Sequence, residues 1–401
     1  MDKEKRYVAK RKIKAFLYGI PYLLCRIFPI NKNKIVLWTF EGTGGYGCSP
    51  RYIAEELLKQ KKEGKNSFEL YWIVKDISKE FPKEIHKIKD TTWNRAFHMT
   101  TARFWIGNTR TFYGTRKRKS TTYIQTWHGS LSLKPIGKYR GNLFSKMAYL
   151  VSKADSDLID HAISGSSYCT DMWRDGLIYD GVINQLGSPR CDVFVNNVAE
   201  KRMELRHEYN IPEEAKIIIY APTFRGGSQG TKRAINENPI TIDFDRVLEA
   251  FEKRFGGEWY MFLRLHPQLS VYCEGMSVKN KNSRLIDVTQ RPDMNEIMAA
   301  TDAIITDYST CIFEGFLNGQ MGFIYADDLE DYVKDRGSLM LELDEIPFST
   351  ASDNDALVSN ILAFDEKEYA EKLKCFIEKN GIINDGHATE RTVKLIEENY
   401  G

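Results

Sequence analysis

Paired cysteines, metal-binding motifs and long apolar runs are what this 401-residue sequence lacks. Its seven cysteines are scattered and form no C-x-x-C pair, which argues against a disulfide framework and a structural zinc site and fits a reducing compartment. No H-E-x-x-H metal motif and no internal repeat occurs. The formal net charge is only +2, so the charge of the whole molecule implies no nucleic-acid partner.

The N-terminal segment concentrates both basic and apolar residues. MDKEKRYVAKRKIK contains seven Lys or Arg and two acids, and an apolar stretch of eleven residues, AFLYGIPYLLC, follows it. That stretch is well short of the ~20 residues that a membrane-spanning helix needs, and no small-residue cleavage site of a signal peptide follows it. We expect residues 1–30 to be a basic amphipathic segment that lies on an anionic membrane surface, at the cytoplasmic face of the cell membrane. The alternative is a helix packed on the protein body, with solvated lysines.

Short apolar runs alternate with amphipathic helical patterns through the rest of the chain, such as IVLWTF at 35–40 and KIIIYAPTF at 216–224. This is the β-α-β pattern of parallel sheets that are covered on both faces. Two such blocks predict an α/β fold with two doubly wound, Rossmann-like domains facing a cleft, over residues 31–200 and 201–385. Residues 386–401 are predicted to form a C-terminal helix.

Polar motifs follow several of the predicted strands, at the edge where open α/β sheets bind their ligands. TDYST brings Asp307 to the sheet edge and puts Ser309 and Thr310 at the start of a helix, an arrangement that binds phosphate. Ordinary helix capping is the alternative. RLHP puts Arg264 and His266 on the same face of a strand, which suits a diphosphate, with a structural histidine as the alternative.

The motif QTWHGSLSLK places His128 directly after another predicted strand. An imidazole with an unperturbed pKa of ~6.5 is a neutral base near neutral pH, and Gly129 permits the close approach of a ligand. Packing is the alternative explanation of this histidine. The glycine-rich loop EGTGGYGCSP is interpreted as a flexible strand-to-helix turn, with close approach of a ligand as the alternative.

These motifs occur in one order with LGSPRCDVF, YAPTFRG, DVTQRPDMNEIMAATDAIITDYSTCIFE and DGHATER. Together they resemble the CDP-glycerol glycerophosphotransferase family, the teichoic acid primases and polymerases. The resemblance runs from about residue 35 to about residue 395. It implies a GT-B-type architecture of two Rossmann-like domains, in which a C-terminal helix often crosses back to the first domain.

The resemblance also implies roles for individual residues. His128 is expected to be the base, and His266 is expected at the donor diphosphate. The family's T-D-Y-S-S motif falls on residues 306–310, with threonine in the last position. The residues assigned to the donor phosphates are Arg264, Thr306, Asp307, Ser309, Thr310, Arg225 and Arg391. On the acceptor side we expect Trp127, Gly129 and Lys134.

The activity that the resemblance implies is the transfer of a polyol phosphate from CDP-glycerol or CDP-ribitol to a hydroxyl of a lipid-linked saccharide acceptor, with release of CMP. The product would be teichoic acid or a related cell-wall or capsule polymer. No cofactor is expected beyond the CDP-polyol donor, and the use of a divalent metal is left open. Two alternatives stand beside it: a GT-B glycosyltransferase that uses a nucleotide sugar, and a non-catalytic scaffold that binds anionic lipid.

Overall fold

The protein forms two units, each built from separate stretches of the chain in the computed structural model. The described residues are 3–223, 240–265, 283–336 and 338–400. Unit 1 consists of Met1–Ser130, Ile136–Asp192 and Gly381–Gly401, and unit 2 consists of Leu131–Pro135 and Val193–Asn380. The sequence suggested contiguous domains that meet at residue 200. In the structure, residues 131–135 belong to unit 2, and the C-terminal stretch, whose helix the resemblance suggested would cross back, belongs to unit 1.

Unit 1 contains one sheet of seven parallel strands, in the order β3-β2-β1-β4-β5-β6-β7. The strands are β1 Asn31–Trp38, β2 Glu69–Val74, β3 Ile85–Lys89, β4 Ala102–Gly107, β5 Thr122–Gln125, β6 His161–Ser164 and β7 Val182–Gln185. Because β1 pairs with β2 on one side and with β4 on the other, the chain winds outwards in two directions from the β1–β4 pair. That pair is the switch point of the sheet, where ligands of Rossmann-like folds bind.

Helices cover both faces of this sheet. They are α1 Lys3–Leu24, α2 Cys48–Lys62, α3 Thr92–Thr100, α4 Lys146–Ser156, α5 Ser167–Asp171 and, from the end of the chain, α14 Ala388–Glu398. Shorter 3-10 turns span Cys25–Ile27, Phe40–Gly42, Gly137–Leu143 and Pro189–Cys191, and a π turn spans Met172–Gly176. In β1, Ile35 and Leu37 belong to one buried apolar cluster and Val36 and Trp38 to another. The unbroken apolar run of β1 is therefore explained by burial on both faces.

The C-terminal helix α14 completes the core of unit 1. Val393 and Ile396 are fully buried and belong to the same cluster as Ile35 and Leu37 of β1. The N-terminus of α14 is held as well, because the carboxylate of Asp192 accepts from the main-chain N–H groups of the first turn. Favourable contacts of this kind at a helix N-terminus stabilise the helix.

Helix α1 has one buried side and one exposed apolar side. Tyr22 is fully buried, and Gly19 faces the loop at Gly114 so closely that a Cβ atom on Gly19 would lie 2.9 Å from the Gly114 oxygen. On the other side of the helix, the exposed apolar side chains are Ile13, Phe16, Leu17, Leu23 and Leu24. Among the described helices, none combines the length and the hydropathy needed to span a bilayer.

Unit 2 contains a second parallel sheet, with six strands in the order β10-β9-β8-β11-β12-β13. The strands are β8 Lys216–Tyr220, β9 Trp259–Leu263, β10 Leu285–Asp287, β11 Ala303–Thr306, β12 Met321–Tyr325 and β13 Ser349–Ala351. Counted from β8, this is the order 3-2-1-4-5-6 of the Rossmann fold, with its switch point between β8 and β11. The prediction of an α/β fold with two doubly wound units is confirmed.

The helices of unit 2 flank this sheet in the same way. They are α6 Val193–Asn196, α7 Val198–Glu208, α8 Phe244–Phe255, α9 Met294–Ala299, α10 Ile312–Gly315, α11 Leu329–Arg336, α12 Asn354–Leu362 and α13 Glu366–Asn380, and a 3-10 turn spans Phe316–Asn318. The main apolar cluster joins Ile218 and Ile305 of the sheet to Val247 and Phe251 of α8, all fully buried. The sheet thus forms a rigid base for the loops at its carboxyl edge.

Candidate active site

The carboxyl edge of the unit 1 sheet brings together the loops after three neighbouring strands. Phe40 lies two residues after β1, Asn108 directly follows β4, and His128 lies three residues after β5. Because β1, β4 and β5 are adjacent and parallel, the side chains of these loops meet at one edge, beside the switch point. Residues that the sequence spreads over almost ninety positions therefore form one local group.

The protonation of His128 follows from its hydrogen bond. Its Nδ1 lies 2.8 Å from the main-chain oxygen of Asn108. A carbonyl oxygen can only accept, so Nδ1 carries the proton and donates it to this bond. In the neutral ring, Nε2 then keeps its lone pair. An imidazole held in this tautomer is prepared to take a proton from a hydroxyl group.

The pKa of His128 is lowered to about 4, chiefly because the ring loses hydration in its half-buried position. The hydrogen bond to Asn108 raises the pKa, and the positive charges of Arg190 and Arg110 lower it. Arg190 is itself buried, with Nη1 3.6 Å from Cys48 Sγ, and Arg110 donates to Ser152 Oγ at 2.6 Å. The imidazole is therefore neutral at neutral pH.

Trp127 supports the imidazole from the buried side. Its ring lies 4.4 Å from the ring of His128 and 5.7 Å from that of Trp173, and only 7% of the residue is exposed. Its backbone has a left-handed φ of +54°, and its N–H donates to Gln125 Oε1 at 3.0 Å. Such a conformation costs about 1–3 kcal/mol for a non-glycine residue and persists only where the surroundings enforce it. Trp127 thus orients His128 from within the core, whereas the sequence suggested an acceptor contact; its neighbour Gly129 is half-buried.

At the switch point of unit 2, the TDYST motif is used for internal hydrogen bonds. The Asp307 carboxylate accepts from the main-chain N–H of Thr223, with N–O distances of 2.9 and 2.8 Å. The Thr306 hydroxyl donates to the main-chain oxygen of Ala221 at 2.6 Å. Both side chains are buried and tie the end of β11 to the end of β8. They shape the loops at this edge, which differs from the direct phosphate contact that the sequence suggested for them.

Ser309 and Thr310 lie on the loop between β11 and α10, and both are half-buried. They precede the N-cap of α10, which is Cys311, and this helix has only four residues. We expected the two hydroxyls at the start of a regular helix. In the structure, they instead precede a helix of a single turn. The loop nevertheless keeps both hydroxyls at the carboxyl edge of the unit 2 sheet, where an anionic ligand would bind.

Arg264 directly follows β9 and is half-buried. Its guanidinium group donates to the main-chain oxygen of Val288 at 2.8 Å and also to that of Thr289. Loss of hydration lowers the pKa of Arg264, although a guanidinium group stays charged throughout the physiological range. These bonds hold its positive charge at the carboxyl edge. Two further predicted residues, His266 and Arg225, lie outside the described residues.

Lys134 differs from its expected position. Its Nζ lies 3.5 Å from Thr223 Oγ1, at the loop after β8. The short stretch that carries Lys134 is anchored in unit 2, because Leu133 is fully buried and its oxygen accepts from the N–H of Met340 at 2.9 Å. The sequence assigned Lys134 to the acceptor side because it follows His128 closely. The structure instead puts its ammonium group beside the switch point of unit 2.

Arg391 also differs from its expected position, because it belongs to unit 1. Its two Nη atoms donate to the two carboxylate oxygens of Asp385 at 2.8 and 2.7 Å, and its Nε donates to the Leu186 oxygen at 2.9 Å. The hydrogen bonds to Arg391 lower the pKa of Asp385 to about 2. Arg391 thus anchors the C-terminal stretch, and we withdraw it from the residues that would bind the donor phosphates.

Sequence reasoning missed two features of this region. Asn108 stands directly after a predicted strand, the position that singled out His128, and would have been found by the same rule. In the loop after β1, Gly42, Gly44 and Gly47 have the G-x-G-x-x-G spacing of dinucleotide-binding loops. In this protein, the space beside Gly44 is occupied by the chain's own side chain, because a Cβ on Gly44 would lie 2.4 Å from Thr39 Oγ1. Within the described residues, no group of three or more His, Cys, Asp or Glu could hold a metal ion.

Comparison with known proteins identifies the family. The sequence model described as CDP-Glycerol:Poly(glycerophosphate) glycerophosphotransferase matches residues 20–398 of this chain. The chain belongs to this family. The match extends through both units, from the second half of α1 to the end of α14, and so includes every candidate residue discussed above.

Curated relatives of the chain carry teichoic acid names. The teichoic acid glycerol-phosphate transferase of Staphylococcus aureus is 28% identical over 405 residues, which cover 96% of this chain and 98% of that protein. The teichoic acid poly(glycerol phosphate) polymerase of Staphylococcus epidermidis is 28% identical over 379 residues, which cover 91% of this chain. The chain spans only half the length of that polymerase.

Solved structures give the same picture of the fold. The wall teichoic acid polymerase TagF has a TM-score of 0.80 at 25% identity, covering 100% of this chain and 98% of the TagF chain. A putative UDP-N-acetylglucosamine 2-epimerase from Listeria monocytogenes has a TM-score of 0.50 at 13% identity, which shows similarity of fold alone. The prediction of a GT-B-type α/β fold is therefore confirmed.

Proposed function

We propose that the protein transfers a polyol phosphate, glycerol or ribitol phosphate, from a CDP-polyol to a hydroxyl of a lipid-linked acceptor and releases CMP, in the synthesis of teichoic acid or a related polymer. The observation that carries this proposal is the hydrogen bond from His128 Nδ1 to the Asn108 oxygen, which leaves a neutral imidazole with its lone pair on Nε2. Membership of the glycerophosphotransferase family supports the reaction class. A structure of a TagF variant soaked with CDPG supports the donor class.

The proposed chemistry uses His128 as the base. The acceptor hydroxyl gives its proton to Nε2 while its oxygen attacks the phosphorus that carries the polyol. A new O–P bond forms there, and the bond from the same phosphorus to the bridging oxygen of the diphosphate breaks. The bridging oxygen leaves with the electron pair as part of CMP. Positioning and charge stabilisation account for most of the rate in such transfers.

Unit 2 would supply the groups that hold the donor diphosphate. Arg264 and Lys134 carry positive charge at the carboxyl edge of its sheet, and Ser309 and Thr310 add hydroxyl donors on the loop after β11. Charged donors of this kind form strong hydrogen bonds with phosphate oxygens. By family resemblance, His266 and Arg225 remain candidates for the same anion. Asp307 and Thr306 would act indirectly, by fixing the loops that carry these groups.

Helix α1 would attach the protein to the cytoplasmic face of the membrane, where a lipid-linked acceptor is found. Its exposed apolar side chains recur at helical spacing, as Ile13, Phe16, Leu17 and Leu24 do, on the side opposite fully buried Tyr22. Lysines and arginines flank this stripe. A helix with one apolar face and basic borders binds an anionic membrane surface in the interfacial plane.

The test is to incubate the full chain with CDP-glycerol and with CDP-ribitol in parallel, together with a lipid-linked saccharide acceptor analogue, and to measure CMP and acceptor-bound polyol phosphate. We expect turnover with at least one donor and a loss of roughly a hundredfold or more in His128→Asn. The matched control is His207→Asn, which changes an exposed histidine of α7 and should leave turnover unchanged.

Two outcomes would overturn the proposal. Transfer of a hexose from a nucleotide sugar, without transfer of polyol phosphate from either donor, would identify a glycosyltransferase. Binding to anionic vesicles without any transfer by the wild-type protein would identify a lipid-binding scaffold.

A further inference from the structure

The buried residue Asn108 links the loop after β1 to His128. Asn108 is fully buried and serves both partners: its main-chain oxygen accepts from His128 Nδ1, and its side-chain Oδ1 accepts from the Phe40 N–H at 2.9 Å. The contact between Phe40 and Asn108 bridges β1 and β4, the two strands of the switch point. The position of the imidazole and the position of the Phe40 backbone are thus coupled through one residue, by its main-chain oxygen and its side-chain oxygen.

The same loop is held in an unusual conformation. Phe40 and Glu41 have left-handed φ angles of +46° and +56°, which non-glycine residues adopt rarely. The Glu41 N–H donates to Thr109 Oγ1 at 2.9 Å, and the Thr39 hydroxyl donates to the Gly45 oxygen at 2.8 Å. Left-handed non-glycine residues persist only where the surrounding structure enforces them, and they cluster at active sites and ligand-binding sites.

The conformation presents the Phe40 side chain beside the base. The ring of Phe40 lies 5.6 Å from the ring of His128 at an angle of 65°, and 42% of the residue is exposed. The ring of Trp127 also packs against the imidazole, at 4.4 Å, and Trp127 is buried. His128 therefore has one aromatic neighbour that belongs to the core and another that is open to a ligand.

We propose that Phe40 forms an acceptor subsite, in which its ring packs against the C–H face of the polyol or sugar unit whose hydroxyl is deprotonated by His128, and that Asn108 is the positioning residue that holds both rings. This inference rests on the proposed function. The exposed C–H groups of a polyol or pyranose are apolar enough to pack on an aromatic ring, and the hydroxyl of the same unit then reaches Nε2. Phe40 belongs to unit 1 and the groups assigned to the donor belong to unit 2, so we assign Phe40 to the acceptor.

Phe40→Ala and Phe40→Tyr test the subsite with a water-soluble acceptor analogue that carries a terminal polyol or sugar. We expect Phe40→Ala to raise the KM for the acceptor by roughly tenfold. The KM for the CDP-polyol, and the slow release of CMP without acceptor, should stay within about twofold of wild type. Phe40→Tyr keeps the aromatic face and should restore the acceptor KM. Trp93→Ala, which removes an exposed aromatic side chain of α3, is the matched control.

Asn108→Ala tests the positioning role, because it removes Oδ1 but keeps the main-chain oxygen that holds His128. It should reproduce the selective rise in the acceptor KM, while the acid limb of the pH profile stays where it is in wild type. Thermal unfolding identifies any variant that fails to fold. Because Phe40 is partly exposed whereas Asn108 is fully buried, the two Phe40 variants are the decisive test of the subsite.

The inference is refuted if Phe40→Ala leaves the acceptor KM unchanged, or raises the KM values of donor and acceptor equally, in an enzyme whose wild type is active. Failure of the proposed function would look different, because the wild-type protein would then release no CMP from either CDP-polyol.

Discussion

The main-chain N–H of Thr223 donates to both carboxylate oxygens of Asp307, and the N–H of Phe40 donates to Oδ1 of Asn108 in the same topological position of the other unit. Asn108 directly follows β4 in unit 1, and Asp307 directly follows β11 in unit 2. Each accepts a hydrogen bond from a main-chain N–H in the loop after the neighbouring strand, β1 or β8. These hydrogen bonds hold the two loops of a switch point at a fixed separation. Each unit therefore organises its ligand-binding edge by the same means.

Removing the Asp307 carboxylate should destabilise unit 2. In Asp307→Ala, the buried N–H groups of Thr223 and Tyr308 lose their acceptor, at a cost of about 1–3 kcal/mol for each unsatisfied group. Asp307→Asn keeps one side-chain oxygen and should lose less. The measurement is the midpoint of thermal unfolding of both variants against wild type. An Asp307→Ala protein as stable as wild type would show that these bonds do not hold the loop.

Replacing Lys134 should weaken binding of the CDP-polyol donor and leave binding of the acceptor unchanged. A charged hydrogen bond to phosphate contributes about 1.5–3 kcal/mol, so Lys134→Ala should raise the KM for the CDP-polyol by roughly 10- to 100-fold. The matched control is Lys138→Ala, an exposed lysine four residues further on. A rise in the acceptor KM with an unchanged donor KM would return Lys134 to the acceptor side.

The pH dependence of activity should reflect the lowered pKa of His128. Because this pKa is about 4, the acid limb of kcat/KM is expected well below the ordinary histidine value of 6.5. The control is His98→Asn, since His98 in α3 also has a pKa of about 4 but lies away from the carboxyl edge. His98→Asn should leave the acid limb in place. An acid limb near pH 6.5 in wild type would contradict the lowered pKa of His128.

The stability of the fold should decrease as the pH falls, because of the lowered pKa values of His128 and His98. Their pKa values are lower in the folded protein than in the unfolded chain, so the unfolded chain binds more protons between about pH 6.5 and 4. Their contribution to stability is therefore present above pH 6.5 and is lost as the pH falls through this window. Urea unfolding at pH 7 and pH 5 measures the loss, which should be smaller in His98→Asn. An equal loss in that variant would assign the acid sensitivity to other groups.

Membrane binding should depend on the exposed side of α1. Replacing Phe16 and Leu17 by serine removes two large apolar contacts with the bilayer and should weaken cosedimentation with phosphatidylglycerol vesicles by roughly 100-fold. Met203→Ser, on α7, removes an equally exposed apolar side chain and is the control. Deleting the whole helix is a poorer test, because it would uncover the core around Tyr22. Unchanged sedimentation of the double variant would mean that another surface binds the membrane.

The sequence predicted most of the sheet because central strands bury both faces. All eleven strands that the alternation with helices predicted, β1, β2 and β4 to β12, appear in the structure. The strand β3 was missed, since only Ile85 is buried there and polar residues alternate with two isoleucines in this short edge strand. The strand β13, Ser349–Ala351, was missed because three residues carry no recognisable pattern.

Site residues were predictable where they closely follow a strand, because parallel strands bring the residues at their carboxyl ends to one edge of the sheet. His128 and Arg264 stand directly at strand ends, and the structure brings both to carboxyl edges. The position of Lys134 was not predictable, because the chain passes from one unit to the other within a few residues, which no local pattern reveals. The ion pair of Arg391 was not predictable either, because its bidentate partner, Asp385, is recognisable only once the C-terminal stretch is folded.

The packing of α14 against the first sheet has a consequence during protein synthesis. Val393 and Ile396 complete an apolar cluster that begins with Ile35, so the ribosome must translate all of unit 2 before unit 1 can close its core. Until then, the nascent chain exposes the hydrophobic groove that α14 will fill. The core of unit 1, whose first strand is translated early, is therefore completed only by residues that are translated late.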